Sequence, residues 1–177
     1  MAGFPAGQEN SESETRPPPS PLGLYVHVPF CATTCDFCAF YQTVPKADAV
    51  PRFLAGVARE AALVPWEAGR RVETAFWGGG TPGLLPADDL RRLGQAMTRA
   101  AGQPTEWTVE LAPSSVRADK LAALKELGVT RVSMGVQSFD EATLEALGRR
   151  HSPRQILDAW ALIEAAGFRS RNLDLIF

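Results

Sequence analysis

The chain alternates between short strand-like segments and longer helix-like segments from residue 24 onward. Runs of β-branched and aromatic residues predict five strands, at Leu24–Val28, Glu73–Trp77, Trp107–Leu111, Val132–Val136 and Asn172–Phe177. Between them, apolar residues spaced by three and four positions predict helices. A repeated strand–helix–strand order implies parallel strands joined by right-handed crossovers. The sequence therefore predicts an α/β fold built on one parallel sheet.

Helix start and stop signals support this division of the chain. Proline, aspartate or serine opens four of the predicted helices, and glycine follows four of them. The predicted helices run over residues 51–64, 86–101, 118–127, 140–147 and 152–166. The chain stops inside, or at the end of, the fifth predicted strand, where an α/β domain rarely ends. We therefore expect the sequence to be part of a longer protein.

Composition is that of one globular domain with a polar tail. The chain has 177 residues, of which 45% are hydrophobic and 21% are charged. Residues 1–21 are polar and rich in glutamate and proline, so we predict a disordered N-terminal tail, followed by a core domain over residues 22–177.

Charge and hydropathy exclude several classes of protein. A net charge of −2 argues against a general nucleic-acid binder, which would carry a basic face. No apolar run approaches the roughly 18 residues that would predict a transmembrane segment. The N-terminus lacks the apolar core of a secretory signal. The expected location is therefore the cytoplasm.

Three cysteines, Cys31, Cys35 and Cys38, lie within eight residues of the loop after the first strand. An odd number of closely spaced cysteines is a poor disulfide framework, and in a reducing compartment it favours metal binding. Three thiolates can hold three irons of a [4Fe–4S] cluster and leave the fourth iron open. That iron could bind S-adenosylmethionine (SAM), whose one-electron cleavage gives methionine and a 5′-deoxyadenosyl radical.

Two other readings of the cysteines remain open. A structural zinc site would need a fourth ligand, and only His27 and His151 could supply an imidazole. The three thiols could also be an unligated chance cluster.

Further polar motifs follow the other predicted strands. Gly78-Gly79-Gly80-Thr81-Pro82 follows the second strand, and it is not a P-loop because no Gly-Lys-Ser/Thr follows. Glu110 closes the third strand and Gln137 closes the fourth. In parallel α/β architectures the binding site forms at the carboxyl ends of the strands, so these motifs predict one shared site.

The segment from Tyr25 to Cys38, YVHVPFCATTCDFC, resembles the opening motif of radical SAM proteins. More narrowly it is similar to the oxygen-independent coproporphyrinogen III oxidase family and to the related haem chaperones of the HemW type. The resemblance runs from about Leu24 to Phe177. It implies a six-stranded (β/α) barrel, of which this chain holds five strands. The fold expected is thus an incomplete parallel (β/α) radical SAM barrel.

The resemblance also implies a set of site residues. The cluster ligands are Cys31, Cys35 and Cys38. One SAM molecule is contacted by Tyr25 and Gly79, and a second by Gly80, Thr81, Arg149 and Asp174. Glu110 binds a ribose, and Gln137 is a further cofactor-binding residue, whose amide can donate and accept at one ligand edge. Ala112 departs from the family, in which asparagine is more usual before the proline. His151 is expected to be structural and Met134 to lie in the core.

Two functions are compatible with this resemblance. The first is oxidative decarboxylation of porphyrinogen propionates by a radical enzyme, and the second is haem delivery by a chaperone that keeps the cluster and SAM site. The absence of a fourth cysteine just after Cys38 favours the chaperone branch. The expected partners are haem or a porphyrinogen, an electron donor such as flavodoxin or ferredoxin, and a haem-accepting protein.

Overall fold

A computed structural model of the chain describes residues 20–64 and 71–177. The predicted disordered tail over residues 1–21 lies almost wholly outside the described residues. Within them, no helix is both long and apolar enough to cross a membrane.

Five strands and five helices alternate along the described chain. The strands are β1 (Leu22–Val28), β2 (Val72–Gly79), β3 (Glu106–Leu111), β4 (Arg131–Gln137) and β5 (Ser170–Leu175). The helices are α1 (Ala49–Leu63), α2 (Ala87–Ala101), α3 (Ala118–Glu126), α4 (Glu141–Ala146) and α5 (Pro153–Ala166). Short 3₁₀ turns follow the glycine run and β3.

The strands form one parallel sheet in the order β1-β2-β3-β4-β5. This confirms the predicted α/β fold with five parallel strands. Strand β5 ends two residues before the predicted Phe177, because its pairing partner β4 ends at Gln137, which is in register with Leu175. Strands β1 and β5 lie at the two edges of the sheet in the described part of the chain.

The two faces of the sheet differ in polarity. One face is apolar and packs with helix residues such as Leu90, Leu124 and Ile163 into a single core. The strand residues on this face are Val26, Val28, Ala75, Trp77, Trp107, Val109, Leu111, Val132, Met134 and Val136, all buried. Trp77 and Trp107 meet edge to face, with ring centroids 5.1 Å apart. Met134 is fully buried, as predicted.

The opposite face carries polar residues at alternate positions. Register pairs Glu110 with Ser133 and Ser133 with Asn172, so these residues share one row across the sheet. Most parallel sheets are apolar on both faces because helices or a packed barrel interior cover them. The polar row therefore marks the side of the sheet on which a binding site can form. We call it the inner face.

Helix α5 begins with a capping box at Ser152, the residue at which the sequence predicts the start of this helix. Gln155 N–H donates to Ser152 Oγ at 3.3 Å, and Ser152 N–H donates to Gln155 Oε1 at 3.0 Å.

We expect Ser152→Ala to lower the free energy of unfolding by about 1 kcal/mol, since it leaves a helix N–H without its acceptor. Ser152→Asp is the matched control, because aspartate caps as well as serine and should keep the unfolding midpoint near that of the unaltered chain. Urea titration followed by circular dichroism measures both. Equal stability of the alanine variant and the unaltered chain would contradict the assignment of this cap.

Candidate functional site

A cavity of about 270 Å³ lies at the carboxyl ends of the strands, against the inner face of the sheet. Its lining collects residues from the cysteine loop, the glycine run, β3, β4, β5 and the segment after α4. Of the predicted site residues, the lining includes Cys31, Cys35, Cys38, Gly79, Gly80, Thr81, Glu110, Gln137, Arg149 and Asp174. The structure therefore brings these predicted residues together, whereas Tyr25, the remaining predicted site residue, lies outside the lining.

The cysteine loop is tied to the end of β1 by its own backbone. Thr43 N–H donates to Pro29 O at 2.8 Å, and Cys31 N–H donates to Thr43 O at 3.1 Å. Cys38 N–H donates to Cys35 O at 3.1 Å, which closes a turn between the second and third cysteines. All three thiols are free and partly buried. The loop thus presents three potential thiolate ligands to one cavity.

The glycine run closes the space between β2 and the cysteine loop. Gly80 N–H donates to Val28 O at 2.8 Å and Thr81 N–H donates to Phe30 O at 2.7 Å. A Cβ on Gly80 would stand 2.6 Å from Phe30 O, and Gly79 has a φ of +100° and faces the imidazole of His27. The glycines are therefore required by close backbone approach. The N–H groups of Gly80 and Thr81 therefore already have backbone acceptors.

Burial of the Cys31 side chain raises the pKa of its thiol above the usual value. The neighbouring thiols of Cys38 and Cys35 raise it as well. Thr81, whose Oγ1 lies 3.8 Å from Cys31 Sγ, opposes the rise, as does the charge of Arg149. The metal-free chain consequently holds Cys31 as a neutral thiol at neutral pH, and binding of iron there must release a proton.

Two carboxylates, Glu110 and Asp174, face the same cavity from neighbouring parts of the sheet. Burial raises the pKa of Glu110, the charge of Asp174 raises it further, and a hydrogen bond from the backbone N–H of Gly79 lowers it. A Cβ on Gly78 would stand 2.6 Å from Glu110 Oε2, so this glycine makes room for the carboxylate. A ligand with hydroxyl donors would satisfy the buried oxygens of Glu110.

Arg149 adds a positive charge to the cavity lining. Its guanidinium lies 5.5 Å from the ring centroid of Phe37, a cation–π contact with the aromatic residue that precedes Cys38. The Nε atom of Arg149 is buried and has no hydrogen-bond partner among the residues that the structure describes. A buried donor without a partner is costly, so this atom is suited to a polar ligand group.

Gln137 and His151 also line the cavity. Gln137 is buried and takes a φ of 71°, a left-handed conformation that favours glycine and asparagine. Its carbonyl accepts a hydrogen bond from Ile176 N–H at 2.9 Å. His151 is buried, with Nε2 3.2 Å from Val136 O, a contact consistent with the structural role predicted for it. Burial lowers the pKa of His151, which keeps its ring neutral.

Tyr25 lies apart from the cavity lining. Its ring stacks on Phe76 with centroids 6.1 Å apart, and its side chain is half exposed, so it is neither a core tyrosine nor a cavity residue in this structure. Its pKa is raised by burial and by the charge of Glu110, which shows that the two groups are near each other. Contact between Tyr25 and SAM remains a prediction.

Sequence reasoning missed several residues that position the site. His27 Nε2 lies 2.8 Å from Tyr41 O and so pins the loop that follows the cysteines. Ser133 and Asn172 form hydrogen bonds around the carboxylate of Asp174. Alternation between apolar and polar residues along β4 is the signal that could have found Ser133. Ser133, Gly135 and Gln137 are the polar or small positions of an otherwise apolar strand.

The zinc alternative finds no support in the geometry. Over residues 20–64 and 71–177, no group of three or more His, Cys, Asp or Glu side chains converges so as to hold a single metal ion. Nε2 of His27 lies 2.8 Å from Tyr41 O, and Nε2 of His151 lies 3.2 Å from Val136 O. A cubane cluster spreads its thiolates over three irons and does not need them to converge on one point.

Comparison with known proteins agrees with the fold and the site. The family model of the radical SAM superfamily matches residues 25–177. The chain is 38% identical over 163 residues to the haem chaperone HemW of Escherichia coli (strain K12), covering 88% of this chain and 42% of that protein. It is 34% identical over 163 residues to the oxygen-independent coproporphyrinogen III oxidase of Synechocystis, covering 89% of this chain and 35% of that protein.

A solved structure gives the same result for the fold. The structure of coproporphyrinogen III oxidase (HemN) from Escherichia coli, described as a radical SAM enzyme, superposes with a TM-score of 0.82 at 32% identity. The superposition covers 92% of this chain and 38% of that one, and the five parallel strands here are thus an incomplete radical SAM barrel, as predicted. The chain spans about two fifths of the length of these relatives. The family match over residues 25–177 shows that the chain belongs to the radical SAM superfamily.

Proposed function

We propose that the cavity holds a [4Fe–4S] cluster on Cys31, Cys35 and Cys38 and binds SAM beside it. Membership of the superfamily implies both groups. The observation that carries the assignment is that three free thiols, the glycine run and two carboxylates line one cavity at the carboxyl ends of parallel strands. The buried Nε of Arg149, which has no hydrogen-bond partner among the described residues, fits a polar ligand of this kind.

The residues of the chain would bind and orient SAM, while the cluster, when bound, supplies the electron that cleaves the sulfonium to a 5′-deoxyadenosyl radical. Glu110 would accept hydrogen bonds from ribose hydroxyls. Arg149 would donate paired N–H groups to a carboxylate. Gly79, Gly80, Thr81, Gln137 and Asp174 would complete the contacts to one or two molecules of SAM.

We further propose that the protein acts in haem or porphyrin metabolism, as a haem chaperone in the first place. The match to HemW at 38% identity supports this choice, and the absence of a fourth cysteine just after Cys38 agrees with it. The match to the Synechocystis oxidase at 34% identity supports the second candidate, oxidative decarboxylation of coproporphyrinogen III. A cytoplasmic location, an electron donor such as flavodoxin or ferredoxin, and a haem-accepting protein belong to the same proposal.

Anaerobic reconstitution with iron and sulfide tests the first part. We expect visible absorption typical of a cubane, about four irons per chain for a cluster of that formula, and SAM binding by calorimetry. Stoichiometric zinc with no cubane spectrum would overturn it. Assays with haem and with coproporphyrinogen III then separate the two candidates, because tight haem binding without turnover supports the chaperone and decarboxylation of coproporphyrinogen III supports the oxidase.

Glu110→Gln should affect stability and binding in opposite directions. The raised pKa of Glu110 means that, between its unfolded and folded pKa values, the folded chain holds more protons, so stability falls as pH rises through that range. Because glutamine does not titrate, Glu110→Gln removes this loss of stability. It should therefore raise the midpoint of thermal unfolding at neutral pH. It should also weaken SAM binding by about tenfold, because a charged acceptor is replaced by a neutral one.

Thermal melts between pH 4 and 8 and calorimetry with SAM measure the two effects. Glu106→Gln is the control, since Glu106 begins the same strand but is exposed. An unchanged SAM affinity in Glu110→Gln would contradict the ribose contact, and a lowered midpoint at neutral pH would contradict the electrostatic argument.

A further inference from the structure

The carboxylate of Asp174 is held by two polar side chains on the inner face of the sheet. Ser133 Oγ lies 3.0 Å and 3.2 Å from the two carboxylate oxygens and donates its proton to them. Asn172 Nδ2 donates to Asp174 Oδ1 at 2.7 Å and to Ser133 Oγ at 3.0 Å. The three side chains close a triangle in which every member contacts the other two.

Strand register places this triangle without any loop. Ser133 on β4 pairs with Asn172 on β5, and Gly135 pairs with Asp174, so the three side chains project from one face of two paired strands. Ser133 is only 4% exposed, so bulk water cannot replace its partners. Gly135 has no side chain that could shield Asp174 from the cavity, which Asp174 lines. The arrangement fixes one carboxylate and leaves it facing the cavity.

We propose that Ser133 and Asn172 are positioning residues that hold the Asp174 carboxylate in one orientation for the donor groups of SAM. This inference rests on the proposed function of the same cavity. Both residues act through Asp174, and neither lines the cavity itself.

The electrostatic setting explains why such support is needed. Glu110 on β3 is a second carboxylate beside Asp174, and the two repel each other, as the raised pKa of Glu110 records. The other titratable or charged groups that line the cavity are Cys31, Cys35, Cys38, Arg149, Arg150 and His151. Ser133 and Asn172 donate hydrogen bonds to Asp174 and therefore hold its carboxylate in place beside a like charge.

Ser133→Ala and Asn172→Ala test the proposal in the cluster-loaded chain, with SAM affinity measured by anaerobic calorimetry between pH 5 and 8. We expect each variant to weaken SAM binding by about tenfold at neutral pH, from loss of a charge-assisted hydrogen bond. Ser133→Thr retains the hydroxyl and should bind SAM as the unaltered chain does.

Thr108→Val is the matched control. Thr108 is also buried on the inner face, on β3 two residues before Glu110, and its change should leave the affinity unaltered. A merely structural role would lower the melting temperature of Ser133→Ala and Asn172→Ala but leave their SAM affinity unaltered, so that result would overturn the proposal. Loss of SAM affinity in Ser133→Thr equal to that in Ser133→Ala would overturn it as well. Failure of the unaltered chain to bind SAM would instead refute the proposed function, and this inference with it.

Discussion

Replacing Cys31, Cys35 or Cys38 by alanine is expected to abolish cluster binding, with iron per chain falling to background after anaerobic reconstitution. Each substitution removes one of three thiolates, and two thiolates leave an iron of the cubane without its protein ligand. The visible absorption of the cluster and SAM binding should be lost together. The chain has no further cysteine that could take the place of the missing one.

The fold should survive these substitutions. None of the three cysteines belongs to the buried core, whose strands and helices are held by apolar residues on the other face of the sheet. Far-ultraviolet circular dichroism should therefore stay unchanged. Thr33→Ala, in the same loop between the first two cysteines, is the control and should bind iron fully. Retention of a cubane spectrum by any single alanine variant would show that the assigned ligand set is wrong.

Gly80→Ala is expected to lower the free energy of unfolding by about 1–3 kcal/mol and to reduce iron retention. The added Cβ would stand 2.6 Å from Phe30 O and 2.8 Å from Val28 O, both backbone atoms that cannot rotate away. Relief of this overlap must separate the end of β2 from the start of the cysteine loop, and the hydrogen bond from Gly80 N–H to Val28 O at 2.8 Å would weaken.

Gly56→Ala provides the opposite expectation. Gly56 lies in helix α1 with no atom within 4 Å of a built Cβ, so alanine should stabilise the chain by roughly 0.5–1 kcal/mol. Urea unfolding and iron analysis of both variants measure the comparison. If Gly80→Ala were as stable as the unaltered chain and retained its iron, the close approach of β2 to the cysteine loop would not be a requirement of the site.

The shared site was predictable because two simple periodicities define it. Alternation along each strand and the strand–helix repeat place Cys31, Gly79, Glu110 and Gln137 at the same end of a parallel sheet, and the structure confirms that they line one cavity. No distances were needed for that step, only the order of elements and the direction of the strands.

The supporting contacts could not be obtained in this way. The contact between Ser133 and Asp174 depends on the register of β4 against β5, across 41 positions of sequence. The N–H groups of Gly80 and Thr81 donate to the carbonyls of Val28 and Phe30. Only the structure of the paired strands reveals these acceptors. Tyr25 shows the converse, since a matching motif residue lies outside the cavity lining.

The contrast between the two faces of the sheet has a consequence for how such a domain can change over evolution. Cohesion comes from the apolar side, where Trp77, Val109 and Met134 are sealed under helices. Partly buried residues of the polar side, such as Glu110 and Asp174, contribute less to that cohesion and can be exchanged with smaller loss of stability. A lineage could thus change what the polar side binds while the architecture of the domain stays intact.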